Sequence, residues 1–179
     1  MKIYPVQPSQ HFIEEYKFKN DNFDIFGSDE SRCENVIYPI LFEVCKKFVK
    51  EYSLWSHRSI TADTKLMGTP DYMISTRSHL GKNVIGSPLV MIAVARQNDF
   101  IQGWGQCLAE LVTAQRLNNS TEKTVYGCVT DGELWHFGKL EGDLFTRNQT
   151  SVTIAALESV FGALTEIMEL AVQREAKTN

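Results

Sequence analysis

The sequence predicts an α/β fold with a mixed central β-sheet flanked by helices. Three observations carry that expectation. Residues 89–95, LVMIAVA, are apolar at every position, the pattern of a strand buried on both faces. Residues 100–117 follow with apolar side chains at helical spacing. Residues 125–130 and 134–140 then read as two strands joined by the compact turn DGE. A strand, a helix and a further strand in that order imply a crossover that sets two strands parallel.

The elements follow in chain order. Residues 1–28 mix aromatic, acidic and polar side chains and are expected to form an arm or short helix laid on a single 1–179 domain. Ser28 or Asp29 starts the next helix. Its apolar positions Val36, Ile37, Ile40, Leu41, Val44, Cys45, Phe48 and Val49 recur at helical spacing. Pro39 fits a helix that begins only a few residues earlier, or a kink. Residues 52–60 read as a first strand carrying Trp55, and 61–68 as a polar turn or loop. Residues 71–76 form a second strand, 77–87 a connection with two glycines, and 88–95 the third strand. These three make an antiparallel meander. Asn98 or Asp99 caps the 100–117 helix, in which Gly103 and Gly105 weaken the first turns and point to close approach by a neighbour. Residues 153–175 form a last helix with Leu157, Val160, Phe161, Leu164, Ile167, Met168 and Ala171 on one face.

Composition narrows the function classes. With 43% hydrophobic and 22% charged residues, the 179-residue chain has the make-up of an ordinary soluble globular protein. Its net charge of −4 gives no global attraction to nucleic acid, although a local basic patch is compatible with it. The four cysteines contain no CxxC pair, and His57, His79 and His136 show no ligand spacing, so no zinc cluster is expected. The cysteines are read as reduced thiols of a cytoplasmic protein. The N-terminus has no apolar signal core and no apolar run approaches membrane-spanning length, so no membrane association is expected.

The series TPDYMI, PLVMIAVARQNDF, GWGQCLAELVTAQ and VYGCVTDGELWHFGKL resembles the PD-(D/E)xK nuclease superfamily, and within it small stand-alone proteins similar to restriction endonucleases. The resemblance covers roughly residues 28–170. The PD dipeptide alone is weak; the ordered series is more specific. It implies a restriction endonuclease-like core, α-β-β-β-α-β, with an extra strand and a C-terminal helix. It also implies metal-dependent phosphodiester hydrolysis with magnesium, with DNA a candidate partner and the choice between DNA and RNA left open. In that pattern an Asp of the second strand and a Glu of the third hold the metal, while a Lys two positions after the Glu faces the same side.

Carried over residue by residue, Asp71 matches the Asp, and Ala95 matches the intervening position that offers a backbone carbonyl to the metal. The Glu position is Val94 and the Lys position is Arg96, so the E-x-K motif is degenerate. Valine has no oxygen to give a metal. Arginine keeps the charge and can clamp phosphate, but is a poor base. Glu34 matches a helix acid that supplements such sites, and Gln106 a helix Gln beside them. Glu110, one turn after Gln106, is a candidate migrated carboxylate. The residues present therefore imply impaired cleavage with retained phosphate or nucleic-acid binding. Arg58, Lys65, Arg77, His79 and Lys82 are the candidate basic rim.

Two alternatives stand beside this. One is an active magnesium-dependent endonuclease with Glu34 or Glu110 replacing the missing Glu. The other is a non-enzymatic interaction protein, or a homodimer paired through its aromatic arm. Each site residue also has a plain structural role to weigh. Asp71 can bond backbone at a strand end, Arg96 can pair with Asp71 or Glu34, Gln106 can satisfy backbone groups, and Glu34 and Glu110 can be solvated helix acids.

Overall fold

The computed structural model describes residues 3–97 and 99–178. After the helix α1 (Gln10–Asn22), the short α2 (Asp29–Arg32) passes through a π-helical segment, Cys33–Ile37, into α3 (Tyr38–Lys47). Ser28 caps this run by accepting from the Ser31 N–H at 3.1 Å. Pro39 is the second residue of α3, directly after the π-helical segment, and having no N–H it donates no bond to the turn before it. The single helix read from the periodicity is thus continuous in path, with a π-helical segment ahead of Pro39.

The strands are β1 (Tyr52–Ser56), β2 (Ile60–Thr61), β3 (Met67–Gly68), β4 (Tyr72–Arg77) and β5 (Ile85–Ala95). Then come α4 (Phe100–Leu117), β6 (Val125–Thr130), β7 (Leu134–Glu141), β8 (Leu144–Arg147), β9 (Val152–Thr153) and α5 (Leu157–Thr178). The main sheet runs β1-β4-β5-β6-β7-β8, with β9 also on β7. Pairing is antiparallel from β1 to β4 to β5, parallel from β5 to β6, and antiparallel beyond. The meander and the parallel joint across α4 are therefore as the sequence predicts. The 52–60 strand is shorter than read: it stops at Ser56, and residues 60–68 fold back as the β2–β3 hairpin.

Two apolar cores lie on the two faces of the sheet. One gathers Val36, Ile40, Leu41 and Val44 of the α2–α3 run with Phe161, Leu164 and Ile167 of α5 and with Tyr72, Met91 and Phe137 of the sheet. The arm joins this core through Phe12, whose ring meets Phe161 edge-on at 5.1 Å. Phe18 and Phe23 of the arm stay exposed. The other core lies under α4: Trp104, Cys107, Leu111 and Ala114 pack on Met73, Ile92, Val94 and Val129. Strand β5 contributes to both, which is why its sequence is apolar without alternation.

Two contacts fix α4 along the sheet. Near its start, Gly103 lies so close to β6 and to Arg96 that an added Cβ would stand 2.6 Å from Val129 Cγ1 and 3.3 Å from Arg96 Cγ. Past its end, Asn118 bonds both backbone groups of Leu89. Asp99 caps the helix, accepting from the Gln102 N–H at 2.9 Å; Asn98, the other cap candidate, lies outside the described residues. The close approach inferred from two glycines holds for Gly103 alone, since nothing stands within 4 Å of a Cβ on Gly105.

Candidate functional site

The β4–β5 register places Tyr72 opposite Ala93, and continuing it one step sets Asp71 opposite Val94. Side chains two apart on a strand share a face, so Asp71 and Arg96 follow Met73 and Val94 onto the α4 side. There the carboxylate of Asp71 accepts from the Ala95 N–H through Oδ2 at 2.8 Å. Arg96 donates from Nη1 to its neighbour's carbonyl, Ala95 O, at 3.1 Å, and from Nη2 to Gln106 Oε1. Gln106 in turn donates from Nε2 to Glu110 Oε1 at 3.1 Å. Helical spacing of four residues places Gln106 and Glu110 on one side of α4.

Glu110 is the unusual member. It is 3% exposed, and the β3 strand covers it: a Cβ on Gly68 would stand 2.8 Å from Glu110 Cγ. Its Oε2 has no hydrogen-bond partner among the described residues. Burial pushes its pKa up to about 7; the negative charge of Asp71 adds to the rise, while the Gln106 bond and Arg96 oppose it. The reading of Glu110 as a solvated helix acid is therefore corrected. It sits on the buried stripe Cys107–Glu110–Leu111–Ala114, and an acid on that stripe was the signal available in the sequence.

A residue the sequence did not single out completes this corner. His57 follows β1 with a left-handed backbone, φ 49°, and its N–H donates to Asp71 O at 3.0 Å. Its Nε2 stands 3.7 Å from Asp71 Oδ1, its Nδ1 shares a 2.8 Å hydrogen bond with Ser56 Oγ, and its ring meets Tyr72 edge-on. No local pattern announces this arrangement, because it depends on the chain turning out of β1 and back to Asp71.

Other expectations change. Arg96 forms no ion pair with Asp71 or Glu34 among the described residues; its partners are neutral oxygens. Glu34 is exposed in the π-helical segment. Val94 is fully buried among Met73, Ile92, Trp104 and Cys107, an apolar wall where the motif would have its Glu. The basic rim is divided. Arg58 lies over the Trp55 ring at 5.5 Å and Lys65 is in the β2–β3 hairpin. Arg77, His79 and Lys82 lie at the opposite end of β4, where Arg77 donates to Val49 O. Trp104, Trp135 and Phe137 are buried, in keeping with packing roles. Among the described residues all four cysteines are free thiols, and no helix is long and apolar enough to cross a membrane.

No protein-family model, no curated protein and no solved structure matches this chain.

Proposed function

We propose that this chain is a nuclease-like protein of the PD-(D/E)xK type that binds nucleic-acid phosphate and has lost efficient cleavage. The observation that carries the reading is the convergence of Asp71, Arg96 and Gln106 where β5 meets α4. The antiparallel, antiparallel, parallel order of β1, β4, β5 and β6 supports a restriction endonuclease-like core around it. Arg96 is the phosphate ligand. A guanidinium carries five N–H donors in a planar fork. Two bonds to Ala95 O and Gln106 Oε1 orient it and leave donors for an anion.

The corner does not fit a magnesium centre as folded. Magnesium requires hard oxygen ligands in near-octahedral order. Val94 supplies none, the Ala95 carbonyl is occupied by Arg96, and one Asp71 oxygen is occupied by the Ala95 N–H. The guanidinium also brings a positive charge to the place where a divalent cation would stand. What remains is anion binding without the means to activate water.

One observation favours a second reading. The unpartnered Oε2 of buried Glu110 is what a migrated carboxylate would look like, and Glu110 is then the acid of a rebuilt endonuclease site.

Plasmid cleavage with magnesium or manganese separates the readings. The chain as given is compared with Val94→Glu plus Arg96→Lys, and with Asp71→Ala added to that pair. The new Glu stands opposite Asp71 in an apolar setting, so melting temperatures are recorded with and without metal to show that the pair folds and responds to it. The first reading expects cutting by the double variant alone, abolished by Asp71→Ala. Cutting by the unaltered chain that Glu110→Ala abolishes establishes the second reading instead. A folded, metal-stabilised double variant that leaves plasmid intact removes the first reading, and an unaltered chain that leaves it intact removes the second.

A further inference from the structure

His57 takes no part in the phosphate binding proposed for Arg96, yet its place in the corner is closely defined. It has a left-handed backbone, φ 49°, directly after β1. Glycine adopts that conformation without strain, so the turn alone does not call for an imidazole. Core packing does not call for it either, since 60% of the side chain is exposed. Its N–H donates to Asp71 O at 3.0 Å, and its Nδ1 shares a 2.8 Å hydrogen bond with Ser56 Oγ. The Tyr72 ring meets it edge-on, with centroids 6.0 Å apart. Nε2 is thereby turned towards the Asp71 carboxylate and stands 3.7 Å from Oδ1, beyond hydrogen-bond reach. The other oxygen of that carboxylate accepts from the Ala95 N–H, and Ala95 O accepts from Arg96. An imidazole nitrogen and a guanidinium therefore flank one carboxylate, the first beside Oδ1 and the second one residue along from Oδ2.

We infer that His57 is the general base of a metal-independent cleavage of single-stranded RNA, with Arg96 holding the phosphate that is cut. This rests on the phosphate-binding reading of Arg96 and adds a substrate class to it. Cutting DNA requires an external water. Val94 offers no oxygen to a magnesium ion that would activate one, and Arg96 occupies the Ala95 carbonyl. RNA brings its own nucleophile, the 2′-hydroxyl beside each phosphate. It asks only for a base at that hydroxyl and a cation at the phosphate. With Nδ1 donating to Ser56 Oγ, the lone pair of the ring lies on Nε2. Nε2 takes the 2′-hydroxyl proton as O2′ bonds to phosphorus and the P–O5′ bond breaks. The departing 5′-oxygen takes a proton from water, and the hydroxide so formed takes the proton back from His57. The products are a 2′,3′-cyclic phosphate and a 5′-hydroxyl, and nothing is oxidised or reduced. A paired A-form strand holds the 2′-hydroxyl off the line of attack, so the substrate is unpaired.

The test uses an oligo-dT strand with a single ribouridine at its centre, incubated with the full chain in EDTA. The proposal expects a cut after the ribouridine alone, with a cyclic phosphate end identified by mass spectrometry and the all-deoxy strand left intact. His57→Gly and His57→Asn both suit a left-handed backbone, so melting curves should show them at least as stable as the parent. Each should cut at least about a hundredfold more slowly. A ribouridine left whole by the folded full chain, or cutting that persists in both His57 variants, overturns the proposal. Binding is read separately by anisotropy, on the same strand with 2′-O-methyluridine, which cannot cyclise. If Arg96→Ala weakens that binding while the ribouridine stays whole, the phosphate-binding reading stands and only the role of His57 falls. If Arg96→Ala binds as the full chain does, the phosphate-binding reading falls and this inference with it.

Discussion

Strand β5 is tied to its surroundings at Leu89 and again at Ala95, and the two places use different chemistry. At Leu89 the Asn118 amide accepts from the backbone N–H at 2.6 Å and donates to the carbonyl at 2.8 Å, all of it buried. At Ala95 the N–H goes to the carboxylate of Asp71, and the carbonyl is taken by the guanidinium of Arg96. Both backbone pairs are satisfied, but a neutral amide does it without desolvating a charge. Charge is therefore not needed to hold the strand. Its concentration at the Ala95 end, with a buried acid beside it, calls for an explanation outside packing, and that asymmetry is the physical case for a site there.

The sharpest way to break the comparison is to make the quiet end fail. Asn118→Ala leaves the N–H and carbonyl of Leu89 buried and unpaired, at about 1–3 kcal/mol for each group. We expect a loss of about 4 kcal/mol in urea denaturation, with little effect on nucleic-acid affinity. If DNA binding falls while stability holds, the division into a structural and a functional end is wrong.

At the charged end the expected change has the opposite sign. Glu110 has a folded-state pKa of about 7, raised by burial from its usual 4.5. A raised acid favours the folded state while it is protonated. That contribution is fully present below about pH 4.5 and is lost as pH rises through about 7. Glu110→Gln keeps an uncharged side chain of similar shape at all pH values. Its stability advantage over the parent chain should therefore be near zero at pH 4.5 and grow to about 3 kcal/mol by pH 8. Melting curves across that range check it. A constant difference at every pH would show that Glu110 is not buried as a charge.

Much of the frame was legible because its signals are local. The periodicity of 100–117 matches α4 from Phe100 to Leu117, and the apolar run 89–95 gives the C-terminal part of β5, which begins earlier, at Ile85. Asp71, Arg96 and Gln106 converge because strand and helix periods alone put them on facing surfaces. The two-residue strands β2, β3 and β9 carry no periodicity, and β8 is too short and too exposed to show alternation. The burial of Glu110 depends on the β2–β3 hairpin folding across α4, and the placement of His57 on the chain turning out of β1 and back to Asp71, both tertiary events. The split of the basic rim follows from strand direction: residues close in sequence to Asp71 are carried to the other end of β4.

The smallest effects test how tightly α4 is held over the charged corner, and they come as a pair of glycines. An alanine gains up to about 1 kcal/mol over glycine in a helix interior. At Gly105 nothing stands within 4 Å of the new Cβ, so Gly105→Ala should gain that amount and leave binding unchanged. At Gly103 the same methyl would press on Val129 Cγ1 and on the stem of Arg96. Val129 is fully buried and cannot yield without moving α4 or β6. Overpacking at about 1–3 kcal/mol outweighs the helical gain, so Gly103→Ala should lose about 1 kcal/mol net. It should also weaken oligonucleotide binding, because the push reaches the guanidinium that Gln106 orients. A Gly103→Ala chain that loses stability yet binds normally would mean that the position of Arg96 under α4 matters for packing and not for phosphate.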